Sequence, residues 1–258
     1  MRKSFSVFLL FTIVIISTFL CERAKAQKNP NNTAAIPAPR IYPGLPTPYS
    51  ARAQKGNIDL VFFGDSITEG WWPHKELWKE YYGKMNAVNF GHGGDRVQTV
   101  HWRVLNGDAD GYTAKVVVLM VGTCNGHENT VPQIVEGITL LVQSIREKQP
   151  KAKILLLGIP PANLNPPQKQ SPKITQINVE IAKLKENDTI RFFDLHKVWL
   201  KEDGNTPIPG VFADSLHPTK LGYELWAKAM HPLLLEMMGA GSKKNTTNQG
   251  GILQKDKN

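Results

Sequence analysis

The sequence predicts an α/β protein in which a parallel sheet is covered by helices on both faces. Two observations carry this: five short apolar runs, each too brief for a helix, and amphipathic helical stretches that separate them. The runs lie at 59–63, 87–90, 116–121, 154–159 and 191–195 and are rich in Val, Ile, Leu and Phe. They read as buried strands. A helix over 96–106 is expected to stop at Gly107. Thr130 and Gln133 have capping-box spacing, with Pro132 in the first turn. They open a helix whose apolar face is Ile134, Ile138, Leu141, Val142 and Ile145. Ser171-Pro172 opens another, with Ile174, Ile177, Ile181 and Leu184 on one side. The last is expected to begin at Pro218 and to face inward through Leu221, Leu225, Ala229 and Leu233. Sheets of this kind place their sites at the carboxyl ends of the strands.

The chain of 258 residues suits one medium domain with accessory ends. Residues 1–26 read as an export signal: Arg2 and Lys3, an apolar run over 5–20, then Ala24-Lys25-Ala26 as a small-x-small cleavage site. The run is short of the roughly 20 apolar residues a membrane span needs. A mature chain beginning at Gln27, with no stable membrane span, is therefore expected in a secreted or periplasmic location. Residues 27–57, with six prolines between Pro30 and Pro48, read as a linker or an arm lying on the body. Residues 58–238 form the domain, and 239–258 read as a disordered tail.

The net charge of +9 is concentrated in those ends. Residues 1–26 hold +3, 27–57 hold +4 and 239–258 hold +3, which leaves −1 for the body. The body lacks the basic footprint of a nucleic-acid partner. Once Cys21 leaves with the signal, Cys124 stands alone, so no internal disulfide is expected and the core must hold the fold unaided.

Four segments could carry chemistry. Phe63-Gly64-Asp65-Ser66 directly follows the first strand. A serine there places its hydroxyl at the strand end and its own N–H at a helix start, where it can stabilise an oxyanion. A plain helix cap would look the same. A nucleophilic serine needs a base, and the base needs an orienter. Asp214-Ser215-Leu216-His217-Pro218 offers both within one loop turn. Asn89-Phe90-Gly91-His92-Gly93-Gly94-Asp95, with three glycines in four positions, brings backbone close to something, either as a tight turn or as an oxyanion donor. Within it, His92 is a loop histidine or a substrate contact. Val121-Gly122-Thr123-Cys124-Asn125-Gly126-His127 follows the third strand, and its Asn amide could also donate. Trp71 and Trp72 either line an acyl or sugar pocket or pack the first helix.

These four segments, in this order, resemble the blocks of the SGNH (GDSL) hydrolases over roughly 58–238, closest to the branch of platelet-activating factor acetylhydrolase catalytic subunits. Trp102-Arg103 and Asn106-Gly107 extend the match beyond Gly94-Asp95. The resemblance implies a three-layer, flavodoxin-like fold with a five-stranded sheet and ester hydrolysis without metal or cofactor. It casts Ser66 as nucleophile, His217 as base, Asp214 as its partner, and the Ser66 and Gly94 N–H groups as oxyanion donors. One block departs. Where the branch reads Gly-Thr-Asn-Asn, this chain reads Gly122-Thr123-Cys124-Asn125 with Gly126 as an extra residue. Either Cys124 replaces the side-chain donor, or the loop shifts and Asn125 takes the role; Asn125 is the favoured expectation, because a thiol donates weakly.

The expected function is an exported esterase of short acyl groups, acetyl first, with O-acetylated carbohydrate as substrate. The altered third block allows an alternative, a carbohydrate-binding or scaffold protein with impaired catalysis. Lipid esters or thioesters are a further alternative.

Overall fold

The computed structural model describes residues 31–39, 48–161, 172–186 and 188–239. Its centre is a five-stranded, all-parallel sheet of order β2-β1-β3-β4-β5. The strands are β1 (Leu60–Gly64), β2 (Ala87–Gly91), β3 (Val116–Met120), β4 (Lys153–Leu157) and β5 (Ile190–Phe193). All five fall within about two residues of the sequence expectation. Alternate side chains feed opposite cores. Val61 and Phe63 of β1 join one cluster, and Leu60 and Phe62 join the other. This is why the runs are apolar throughout rather than alternating.

The helices are α1 (Ser50–Gln54), α2 (Ser66–Glu69), α3 (Lys75–Tyr82), α4 (Val97–Arg103), α5 (Val131–Lys148), α6 (Pro172–Ile181), α7 (Leu195–Val198) and α8 (Lys220–Met237). α4, α5 and α6 cover one face of the sheet; α3 and α8 cover the other. Thr130 and Gln133 form the expected capping box on α5, and the five predicted inward residues of that helix are all buried. Ile174, Ile177 and Ile181 of α6 are buried too. Leu184 lies past its end, in the 3-10 turn Ala182–Leu184. Ser171 lies outside the described residues.

Two expectations are corrected. α4 ends at Arg103, and a π turn (Val104–Asp108) carries the chain on through Gly107. α8 starts two residues later than expected, after Thr219, and it is rotated. Leu221 is 39% exposed, Ala229 is exposed, and Leu225 and Leu233 are half-buried. The buried stripe is Gly222, Tyr223, Trp226, Met230 and Leu234. Large aromatic surface gains most from burial, so Tyr223 and Trp226 set the inward face and the leucines follow.

The segment ahead of the sheet is packed where it is described. Asn32 is fully buried, and its amide donates to Gln133 O and Glu136 Oε2 of α5 at 2.9 Å each. Ala38 N–H donates to Gln98 O, and Tyr49 stacks on Phe90 at 4.8 Å. The signal, and the C-terminal tail beyond Gly239, lie outside the described residues. Among the described residues, no helix is long and apolar enough to cross a membrane.

Candidate active site

The chain runs outward from β1 to β2, then returns to build β3 on the other side of β1. Crossovers on either side of such a reversal open a crevice at the carboxyl ends of the strands. Ser66 follows β1, the 91–95 loop follows β2, and the 122–126 loop follows β3, so all three converge there.

Asp65 caps α2, with Oδ1 accepting from Ile67 N–H at 3.0 Å. The cap leaves Ser66 half-buried at the helix start, with its side chain at the rim. His217, 151 residues away, places Nε2 3.0 Å from Ser66 Oγ. Its Nδ1 lies 2.9 Å from Asp214 Oδ2. The other Asp214 oxygen accepts from the backbone N–H groups of Leu216 and His217, at 2.7 and 2.6 Å. With Nδ1–H donated to a carboxylate, Nε2 presents its lone pair to the hydroxyl. The His217 backbone N–H, then its ring, hold the Asp214 carboxyl down at about 2. Asp214 therefore keeps its charge, and the loop keeps these bonds, until pH falls through about 2. The loop is closed by the Phe212–Pro218 bridge and by Ala213 N–H donating to His217 O.

The 91–95 loop is tied to α2, which begins at Ser66, from two directions. Gly91 lies so close to α2 that a Cβ would sit 2.3 Å from Glu69 N, which only glycine avoids. Glu69 Oε2 accepts from Gly93 N–H at 2.8 Å, and a Cβ on Gly93 would be 3.9 Å from the Ser66 Cβ. Gly94, at φ 72°, stands exposed at the crest. His92 is one-third exposed, with Nδ1 3.9 Å from Glu69 Oε1. Beneath the loop Arg103 is 1% exposed. It reaches Asp95 at 2.9 Å, Asp108 at 2.8 Å and Phe90 O at 2.9 Å.

Asn125 does not face the crevice, which corrects the favoured expectation. It is fully buried. Its oxygen accepts from Val97 N–H, and its amide donates to Gln98 Oε1 and Asn129 Oδ1, each at 2.9 Å. A primary amide has two N–H donors, and both are used. Cys124, half-buried in the same turn, remains as the side chain of that block. Asn125→Ala is expected to lower stability by about 1–3 kcal/mol, since it strands the buried Val97 N–H. Chemical denaturation would check this; a variant of unchanged stability would refute the assigned bonds. Cys124→Asn is expected to raise kcat about tenfold or more by supplying a stronger donor. An unchanged or lower kcat, in a protein that still folds, would argue against Cys124 occupying the donor place.

Asp65 is wholly buried, and burial pushes its carboxyl up to about 7, against the lowering effects of the Ile67 N–H and the Thr123 hydroxyl. The folded protein thus holds this proton more tightly than the unfolded chain. That contribution is present below about pH 3.8 and is lost as pH rises through about 7, for at most about 4 kcal/mol. Asp65→Asn keeps a capping oxygen and removes the charge. Its urea midpoint should lose the fall that Asp65 imposes between about pH 4 and 7; parallel curves for the two proteins would contradict this.

Trp71 is 1% exposed, packed among Trp78, Tyr82, Tyr223 and Trp226. Trp72 is 51% exposed. Both border a groove along the outer edge of β2. Among the described residues, no group of three or more His, Cys, Asp or Glu side chains is set to hold a metal ion. Sequence reasoning gave no role to Glu69 or to the Arg103 cluster. A signal for Arg103 existed: it continues the inward face of Val97, Val100 and Val104, where an arginine requires buried acids.

Fold and site together define the class: a three-layer α/β protein with a serine, a histidine and an aspartate in hydrogen-bonded series at the carboxyl rim, the form of a serine hydrolase. The chain belongs to the GDSL-like lipase/acylhydrolase family, whose model matches residues 62–225, within the SGNH hydrolases. It is 35% identical over 183 residues to human platelet-activating factor acetylhydrolase IB subunit alpha2, covering 70% of this chain and 77% of that protein. In fold it is similar to a GDSL-like lipase from Bacteroides thetaiotaomicron, with a TM-score of 0.58 at 18% identity, covering 74% of this chain and 96% of that one. An acetyl xylan esterase superposes with a TM-score of 0.57 at 20% identity, covering 69% of this chain and all of that one.

Proposed function

We propose that the protein is an exported serine esterase that removes short acyl groups, acetyl foremost, from carbohydrate hydroxyls. The observation that carries the serine-esterase reading is the series Ser66 Oγ, His217 Nε2, His217 Nδ1 and Asp214 Oδ2, spaced 3.0 and 2.9 Å. His217 accepts the hydroxyl proton as Ser66 Oγ bonds to the ester carbonyl carbon. The oxyanion sits against the N–H groups of Ser66 and Gly94, with the Cys124 thiol as a third, weaker donor. His217 returns the proton to the departing alcohol oxygen, and the acyl group remains on Ser66. A water, deprotonated by His217, then releases the acid.

Acetyl is supported by the 35% identical acetylhydrolase relative. Carbohydrate is supported by the openness of the site, where the Asp214 and His217 side chains are 56% and 43% exposed and Gly94 stands at the crest. A shallow rim suits an ester projecting from a polymer better than a lipid tail that must be enclosed. The residues 1–26 support export. The test is acetate release from a panel of acetylated glycans, beside long-chain esters and thioesters. Turnover confined to the last two would overturn the glycan reading. An N-terminus at Gln27 in secreted material would support the export step, and retention of residues 1–26 would count against it.

A further inference from the structure

The rim chemistry leaves a second concavity unused. A groove of about 470 Å3 follows the outer edge of β2 from Ala87 to Phe90, roughly 10 Å at strand spacing. Its walls are aromatic, formed by Tyr49, Trp71, Trp72 and Trp78. Trp71 is the packed floor, whereas Trp72 leaves half of its surface in water. Isolated exposed apolar residues are ordinary, but an indole at the mouth of an aromatic groove marks a place where a ring can stack.

Arg52 and Lys75 share the lining, and among the described residues no acid does. Neither cation has a salt-bridge partner among the described residues. Arg52 donates to Gly56 O at 2.9 Å through Nη1, which leaves Nη2 and Nε available. A purely apolar acyl chain would leave both charges uncompensated. A neutral sugar would use the aromatic wall alone. A sugar ring carrying a carboxylate uses both features, laying its C–H face on Trp72 and turning its charge to Lys75 and Arg52.

Tyr49 links the groove to the 91–94 loop. The Tyr49 hydroxyl donates to Gly91 O, and its ring lies 6.4 Å from that of His92. Gly93, the next residue, approaches Ser66. The 91–94 loop therefore stands between the groove and Ser66, and a ligand chain that crosses it would touch both. We propose that this groove is a subsite for a uronate ring in the same glycan whose ester is cleaved at Ser66; this rests on the glycan-esterase reading above.

The test separates the two claims. Ser66→Ala protein is titrated with unacetylated xylo-oligosaccharides, with and without a glucuronate branch, following tryptophan fluorescence. The branched ligand should bind about tenfold or more tightly, as expected for a charge-assisted contact. The preference should shrink at about 0.5 M salt and vanish in Arg52→Ala/Lys75→Ala. Trp72→Ala should weaken both ligands about three- to tenfold. The Arg52→Ala/Lys75→Ala variant, made in the active protein, should not alter p-nitrophenyl acetate turnover. Equal affinity for the two ligands, or a preference that survives loss of both cations, would overturn the subsite. A uronate preference in a protein that cleaves no ester would uphold the subsite and sink the esterase.

Discussion

Ser66→Ala should lower p-nitrophenyl acetate turnover by about 10⁴-fold or more, because no other hydroxyl stands within bonding reach of His217 Nε2 among the described residues. His217→Ala should fall about as far, and the double variant little further, since the two act as one unit. That non-additivity distinguishes loss of a proton-transfer pair from loss of structure. Asp214→Ala should cost less than either, because Asp214 acts only through the imidazole. If Ser66→Ala cleaved the ester as fast as the unaltered protein, the serine mechanism would be untenable.

Arg103→Met should be the most destabilising of the substitutions considered, at about 3–5 kcal/mol. It leaves Asp95 and Asp108, both fully buried, without the guanidinium that faces them. It also releases Phe90 O near the end of β2, directly before the loop that approaches Ser66. Activity should therefore fall in the fraction that remains folded. Chemical denaturation gives the stability change, and a loss below about 1 kcal/mol would mean that the cluster holds little of the structure.

The strands were legible because burial on both sheet faces leaves a mark in every residue of a run, as in 116–120. The grouping of Ser66, His217 and Asp214 was legible because their segments match, in order, blocks of the SGNH hydrolases, whereas Ser66 alone reads equally as a helix cap. The direction of a side chain was not legible. Asn125 and Cys124 are neighbours in one tight turn, and which one faces the crevice depends on Val97, Gln98 and Asn129, brought there by tertiary packing. The same limit applies to α8, where aliphatic spacing pointed to Leu221 but two aromatic rings decided the rotation. Glu69 escaped notice because its partner is a backbone N–H, which has no signature in the sequence.

Ser66 and His217 are 151 residues apart, and His217 arrives on a loop just ahead of α8. A nascent chain thus carries Ser66 with no imidazole beside it. The Ser66–His217 pair cannot form until α8 docks through Tyr223 and Trp226. In refolding, regain of turnover should trail the recovery of helical signal, so the enzyme would serve as its own reporter of the last long-range closure.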